Sequence, residues 1–212
     1  NIEIDGKIKG LHNKSIEDIN CDHSVIMGLK CFTPLKGTDH PDKKSERYDL
    51  QEAIEEFVAN DQSSALLIQG TSGSGKSLMG RHMEQVIWGK YKSGHGIPLF
   101  VSLSQNKGKT IDDILKAKGF TAEEINELKD NKVPFIFILD GYDELNEKKN
   151  MYEMMLLNRY SCQIIYTCRS QYVADIEVPV LFGKSNQGRR TIGQKVKLTF
   201  INPLDEISQQ IL

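Results

Sequence analysis

The sequence predicts a three-layer α/β fold, in which helices cover both faces of a central, mostly parallel sheet. Three observations carry that expectation. From residue 49 onward, short apolar runs suited to strands alternate with stretches of helical periodicity, the pattern of βαβ units. A glycine-rich loop, Gly70 to Ser77, separates one such strand from one such helix. A continuous apolar run, Phe135 to Leu139, has the character of a strand buried on both faces, and it delivers the carboxylate of Asp140 at its end.

Residues 1 to 48 are irregular in pattern, with short apolar pairs broken by Gly6, Gly10, Gly28, Pro34, Gly37 and Pro41. They read as a lead-in segment with one or two short strands or helices that ends in a polar loop. Leu50, Ile54, Phe57 and Val58 then recur at helical spacing behind an Asp49 cap, and that helix stops near Asn60. Ala65 to Ile68 is a strand, and a helix runs from Lys76 toward Trp88, with Trp88 and Tyr91 packing at its end. Ile97 to Leu103 is a strand. Ile111 to Lys118 is a short helix capped by Thr110, and Thr121 with Glu124 forms a capping pair for the next helix, to Leu128. Val133 to Leu139 is the buried strand. Glu147 to Tyr160, rich in Met and Leu, reads as a helix packed on the sheet, Gln163 to Thr167 as a strand, and Gly183 to Gly193 as a basic loop with Lys184, Arg189 and Arg190. Lys195 to Ile201 is a last strand, and Asn202, Pro203 and Asp205 open a helix with proline at its first position. The expected domains are the lead-in at 1–48, a nucleotide domain at 49–202, and the start of a truncated helical domain at 203–212. The chain, beginning at Asn1, reads as an excised fragment.

Composition excludes the extremes. The 212 residues, 26% charged with a net charge of −2, are not those of a disordered chain, and a general nucleic-acid binder would be basic. The longest apolar run, Phe135 to Leu139, is far below the roughly 20 residues of a membrane span. The cysteines, Cys21, Cys31, Cys162 and Cys168, have no C-x-x-C spacing, so they read as reduced thiols in a cytoplasmic protein. The histidines are scattered without ligand spacing.

Gly70-Thr71-Ser72-Gly73-Ser74-Gly75-Lys76-Ser77 is a full match to G-x-x-x-x-G-K-[ST], and Leu78 follows it. Such a match arises by chance in roughly one chain in a hundred of this length, and here it stands between a strand and a helix, as the motif requires. Its glycines let backbone N–H groups turn toward a phosphate chain, to which the helix N-terminus adds partial positive charge. Lys76 would reach the β- and γ-phosphates, and the Ser77 hydroxyl would join a Mg²⁺ shell. Asp140 supplies the second anchor for the metal. Asp140, Asp143 and Glu144 cluster just after the strand, and either Asp143 or Glu144 could polarise an attacking water.

Phe135 to Leu145, an apolar run followed by D-G-Y-D-E-L, closely resembles the metal-binding segment of NACHT domains, a branch of the STAND signalling NTPases; Gly70 to Ser77 agrees with their phosphate loop. Ile164 to Arg169 is similar to their sensor-1 strand, with Cys168 in its small polar position. Leu198 to Leu204 is similar to the strand and x-P-L turn that leads into their helical domain. The resemblance implies an additional-strand P-loop core, with the sensor strand between the phosphate-loop strand and the metal strand. It also implies that Arg169 sits near the γ-phosphate, and that the module is a switch binding ATP or ADP with Mg²⁺, hydrolysing slowly, and forming homo-oligomers on activation of the full-length protein. Relatives carry a glycine-arginine motif near the base, and this chain has Phe32 to Gly37 in its place, so Thr33 and Pro34 are the candidate base neighbours. Two other readings share the loop: a nucleotide-dependent scaffold with little hydrolysis, and a small-molecule phosphotransferase.

Overall fold

The computed structural model describes residues 2–41, 46–59, 65–92, 96–174, 177–186, 189–190 and 196–201. The lead-in begins with helix α1 (Ile2–Asn20), helix α2 (His23–Lys30) and two short strands, β1 (Lys36–Thr38) and β2 (Tyr48–Asp49). Helix α3 (Leu50–Ala59), strand β3 (Ala65–Gly70), helix α4 (Lys76–Lys90) and strand β4 (Ile97–Ser102) follow. Then come helices α5 (Ile111–Ala117) and α6 (Ala122–Asp130), strand β5 (Pro134–Asp140) and a 3-10 turn (Tyr142–Glu144). Helix α7 (Met151–Met154), a second 3-10 turn (Leu157–Arg159), strand β6 (Ser161–Arg169) and helix α8 (Val178–Phe182) lead to a small hairpin of β7 (Ser185–Asn186) and β8 (Arg189–Arg190). Strand β9 (Val196–Ile201) closes the described chain.

Seven of the nine described strands form one sheet in the order β2-β1-β9-β3-β6-β5-β4, with β7 and β8 paired apart from it. From β9 to β4 the pairings are all parallel, while β1 pairs antiparallel with both β2 and β9. β6 therefore lies between β3 and β5, which is the additional-strand arrangement of a three-layer P-loop NTPase fold. Alternation along the central strands fills two cores. Ala65, Leu67, Phe135, Phe137 and Leu139 enter one, with α1, α5, α6, α7 and α8 above it. Leu66, Ile68, Ile136 and Ile138 enter the other, with α3 and α4. That two-sided burial is why these strands read as unbroken apolar runs.

Two local expectations give way to packing. The lead-in is more regular than its glycines suggest, because Lys7, Leu11 and Lys14 fall on one helical face and dock together. Leu11 enters the core, Lys14 donates to Lys118 O at 2.7 Å and Lys7 to Gly119 O at 3.0 Å, satisfying carbonyls at the end of α5. Gly6 and Gly10 would each cost about 1 kcal/mol relative to Ala in an isolated helix, so these tertiary contacts hold α1. The long helix expected over Glu147 to Tyr160 is broken. Asn150 caps α7 by accepting from Glu153 N, and its amide ties the turn to Val180 O and Gly183 O at 2.6 and 3.0 Å; Leu156 then takes a left-handed conformation, φ 56°. Met151, Met155 and Leu157 still pack on the sheet. No helix of the described residues is long and apolar enough to cross a membrane.

Candidate functional site

Buried strand β3 ends at Gly70, and the loop folds back over it so closely that a Cβ there would lie 2.5 Å from Ser74 Oγ. Gly73 and Gly75 take φ +74° and +88°, a region that other residues enter at a cost. They turn the loop into α4, which begins without a side-chain cap at Gly75. The first-turn N–H groups of α4 are thus left for a ligand. Lys76 Nζ donates to Gly70 O at 2.9 Å and Thr71 O at 2.7 Å, arching back across the loop. Burial lowers its pKa, an effect opposed by the charge of Asp143.

β5 carries Asp140 to the same end of the sheet, where the residue is 9% exposed. Gly141 N donates to Thr167 Oγ1 at 2.9 Å, and Thr167 Oγ1 donates to Asp140 Oδ1 at 2.6 Å. Burial raises the Asp140 pKa, while the hydrogen bonds from Thr167 and Ser77 act in the opposite direction. The Ser77 hydroxyl and the Asp140 carboxylate thus meet, from α4 and β5 respectively. Two hard oxygen donors suit Mg²⁺, which ordinarily takes one or two protein oxygens and completes its octahedron with phosphate and water. No group of three or more His, Cys, Asp or Glu that could hold a metal occurs among the described residues, so an all-protein cage is not what these residues offer.

Past Asp140 the chain enters the turn Tyr142–Glu144, anchored by Tyr142, which is fully buried against Tyr172 and Phe182 and donates to Lys149 O at 2.9 Å. The turn separates the two acidic candidates. Asp143 accepts from Arg169 N at 2.9 Å and from Arg169 Nε at 2.8 Å, with its side chain 7% exposed. Glu144 is exposed, and its carboxyl lies over Gly141.

Ser72 to Leu78, Gly141, Asp143, Glu144, Thr167 and Arg169 line one cleft of about 300 Å³. Gly70 and Thr71 form its base through their contacts with Lys76, and Asp140 lies behind it through Thr167 and Ser77. Thr33 and Pro34 are exposed and do not line this cleft; of that segment it is Leu35 that meets the loop, 3.4 Å from a Cβ placed on Gly75. Thr167 is a site residue that sequence reasoning left out, and its signal was its place one residue before Cys168 and Arg169 at a strand end. Cys168 is buried, its thiol pushed up to about 12, chiefly by burial. The expected turn at Asn202 to Leu204 and the helix after it lie outside the described residues, as do 187–188 and 191–193 of the expected basic loop and Lys195 of the expected last strand. Lys184 packs over the Tyr152 ring.

No family model matches the chain, and no curated protein matches its sequence. Solved structures similar to it include the ORC1 protein of Aeropyrum pernix in complex with DNA, at 14% identity and a TM-score of 0.46, covering 73% of this chain and 44% of that one. Another is AMPPCP-bound DnaA from Aquifex aeolicus, at 18% identity and a TM-score of 0.42, covering 76% of this chain and 48% of that one. The chain spans less than half the length of either protein.

Proposed function

We propose that the chain is the nucleotide-binding module of a NACHT-type signalling NTPase, binding Mg·ATP or ADP, hydrolysing ATP slowly, and controlling self-association of the full-length protein through its nucleotide state. The observation that carries this reading is convergence. The phosphate loop, the acidic turn after β5 and the end of β6 meet at one cleft, at the carboxyl end of a parallel sheet. In open α/β sheets ligands bind at that end.

In this reading the loop N–H groups and the start of α4 hold the phosphate chain. Lys76 exchanges the carbonyls of Gly70 and Thr71 for phosphate oxygens, and gains by it, because a charged amine is better matched by an anion than by neutral carbonyls. Ser77 and Asp140 would hold Mg²⁺, which when bound neutralises phosphate charge. Glu144 is the side chain placed to orient a water, since its carboxylate is exposed on the cleft rim while that of Asp143 is engaged by Arg169. A ligand shifts a two-state equilibrium only by its differential affinity, so a switch needs groups that tell triphosphate from diphosphate. Arg169 fills that role here.

The test is titration of Mg·ATP into the wild type and Lys76→Ala. Removing one charge-assisted contact is expected to weaken binding at least about tenfold. Equal affinity would remove the phosphate-loop assignment.

A further inference from the structure

Asp143 and Arg169 come from different elements, the turn after β5 and the end of β6, and both line the cleft. One oxygen of Asp143 accepts from the Arg169 backbone N–H at 2.9 Å and the other from Nε at 2.8 Å. Both bonds approach the arginine from its stem side, so the carboxylate fixes the strand end and the guanidinium together. Engagement at Nε leaves the donors on the two terminal nitrogens outside this contact. The Arg169 side chain is 54% exposed against 7% for Asp143, so the acid is enclosed and the fork it holds is open.

We infer that Asp143 is the positioning residue for Arg169, holding the guanidinium so that its terminal nitrogens meet the outermost phosphate of a nucleoside triphosphate, and that its contribution is to triphosphate recognition rather than to activating water. The inference rests on the nucleotide reading above. A long arginine loses rotamer freedom when it orders on a ligand, and a partner that orders it beforehand removes that cost from binding.

The experiment compares the affinities of AMPPCP and ADP, each with Mg²⁺, for the wild type, Asp143→Ala, Asp143→Asn, Arg169→Ala and the double variant Asp143→Ala/Arg169→Ala. The expected result is that Asp143→Ala lowers the preference for AMPPCP over ADP by about tenfold with ADP affinity retained, the size of a lost charge-assisted contact. Asp143→Asn, which keeps a single carbonyl acceptor, is expected to fall between. In the Arg169→Ala background Asp143→Ala should change the preference no further, because the residue acts only through the arginine. An unchanged preference in Asp143→Ala, an equal effect in the Arg169→Ala background, or loss of ADP and AMPPCP binding together would each overturn the positioning role. Failure of the wild type to bind either nucleotide would instead overturn the nucleotide reading itself.

Discussion

At the scale of single residues the site combines groups whose environments pull in opposite directions. Asp140 is the clearest case, an ionisable carboxyl enclosed at the end of a buried strand and held by Thr167 and Ser77. Burial dominates and raises its pKa in the folded state above the ordinary carboxylate value. A folded state that holds its proton more tightly than the unfolded chain has stability that is fully present below the ordinary carboxylate value and is lost as pH rises through the raised one. At neutral pH the folded state bears the cost of enclosing this group, a cost that the solvated side chain of the unfolded chain does not carry. Asp140→Asn is therefore expected to be more stable than the wild type at pH 7, by roughly 1 kcal/mol, the usual size for substitutions that relieve a functional-site conflict. The gap should narrow as the pH falls toward the ordinary carboxylate range. Urea denaturation at both pH values measures it, and a variant less stable than the wild type at pH 7 would mean that the hydrogen bonds of Asp140 outweigh its desolvation. Apart from Thr167, the residue identities of the cleft were legible in the sequence, chiefly because Gly70 to Ser77 and Asp140 to Glu144 are contiguous strings. The division of labour between Asp143 and Glu144 was not. It depends on Arg169, which stands 26 positions beyond Asp143 and meets it only once β5 and β6 pair.

Elements followed the same logic: those specified by local chemistry were legible, and those specified by packing were not. Helices α5 and α6 each open with a capping box in which Thr110 or Thr121 accepts from the N–H three residues on and Asp113 or Glu124 reaches back. Asp49 likewise accepts from Gln51 N and Glu52 N at the start of α3. Such signals lie within four residues and can be read directly. By contrast α1 is set by carbonyls about a hundred positions away, and α7 is cut short where Asn150 binds the end of α8. The cap at α6 is open to test. Thr121→Ala removes the acceptor for Glu124 N, at 3.2 Å, and is expected to cost about 1 kcal/mol of stability. That corresponds to a fall of roughly 2–4 °C in Tm for a chain of this size. Thermal denaturation measures the loss, and nucleotide affinity should be unchanged because α6 contributes no residue to the cleft.

For the whole molecule, ligand binding and folding are linked. A ligand that binds only the folded state adds about 2.7 kcal/mol at a hundred times its Kd, or roughly 5–10 °C in Tm for a chain of this length. Mg·ATP at that excess is expected to raise the melting temperature of the wild type by such an amount. Chelating the metal should remove part of the gain, and Lys76→Ala most of it. No shift in the wild type would count against nucleotide binding by the isolated chain. The parallel order of the sheet has a practical side as well. Gly70, Asp140, Arg169 and Ile201 all arrive at one rim, and the opposite rim carries the turn at Asn131 and Lys132, exposed and leading into β5. A dye or surface tether attached at Asn131 would sit a full strand length from the cleft, so an immobilised copy would face its ligand unobstructed, and single-molecule measurements could use that point as a neutral handle.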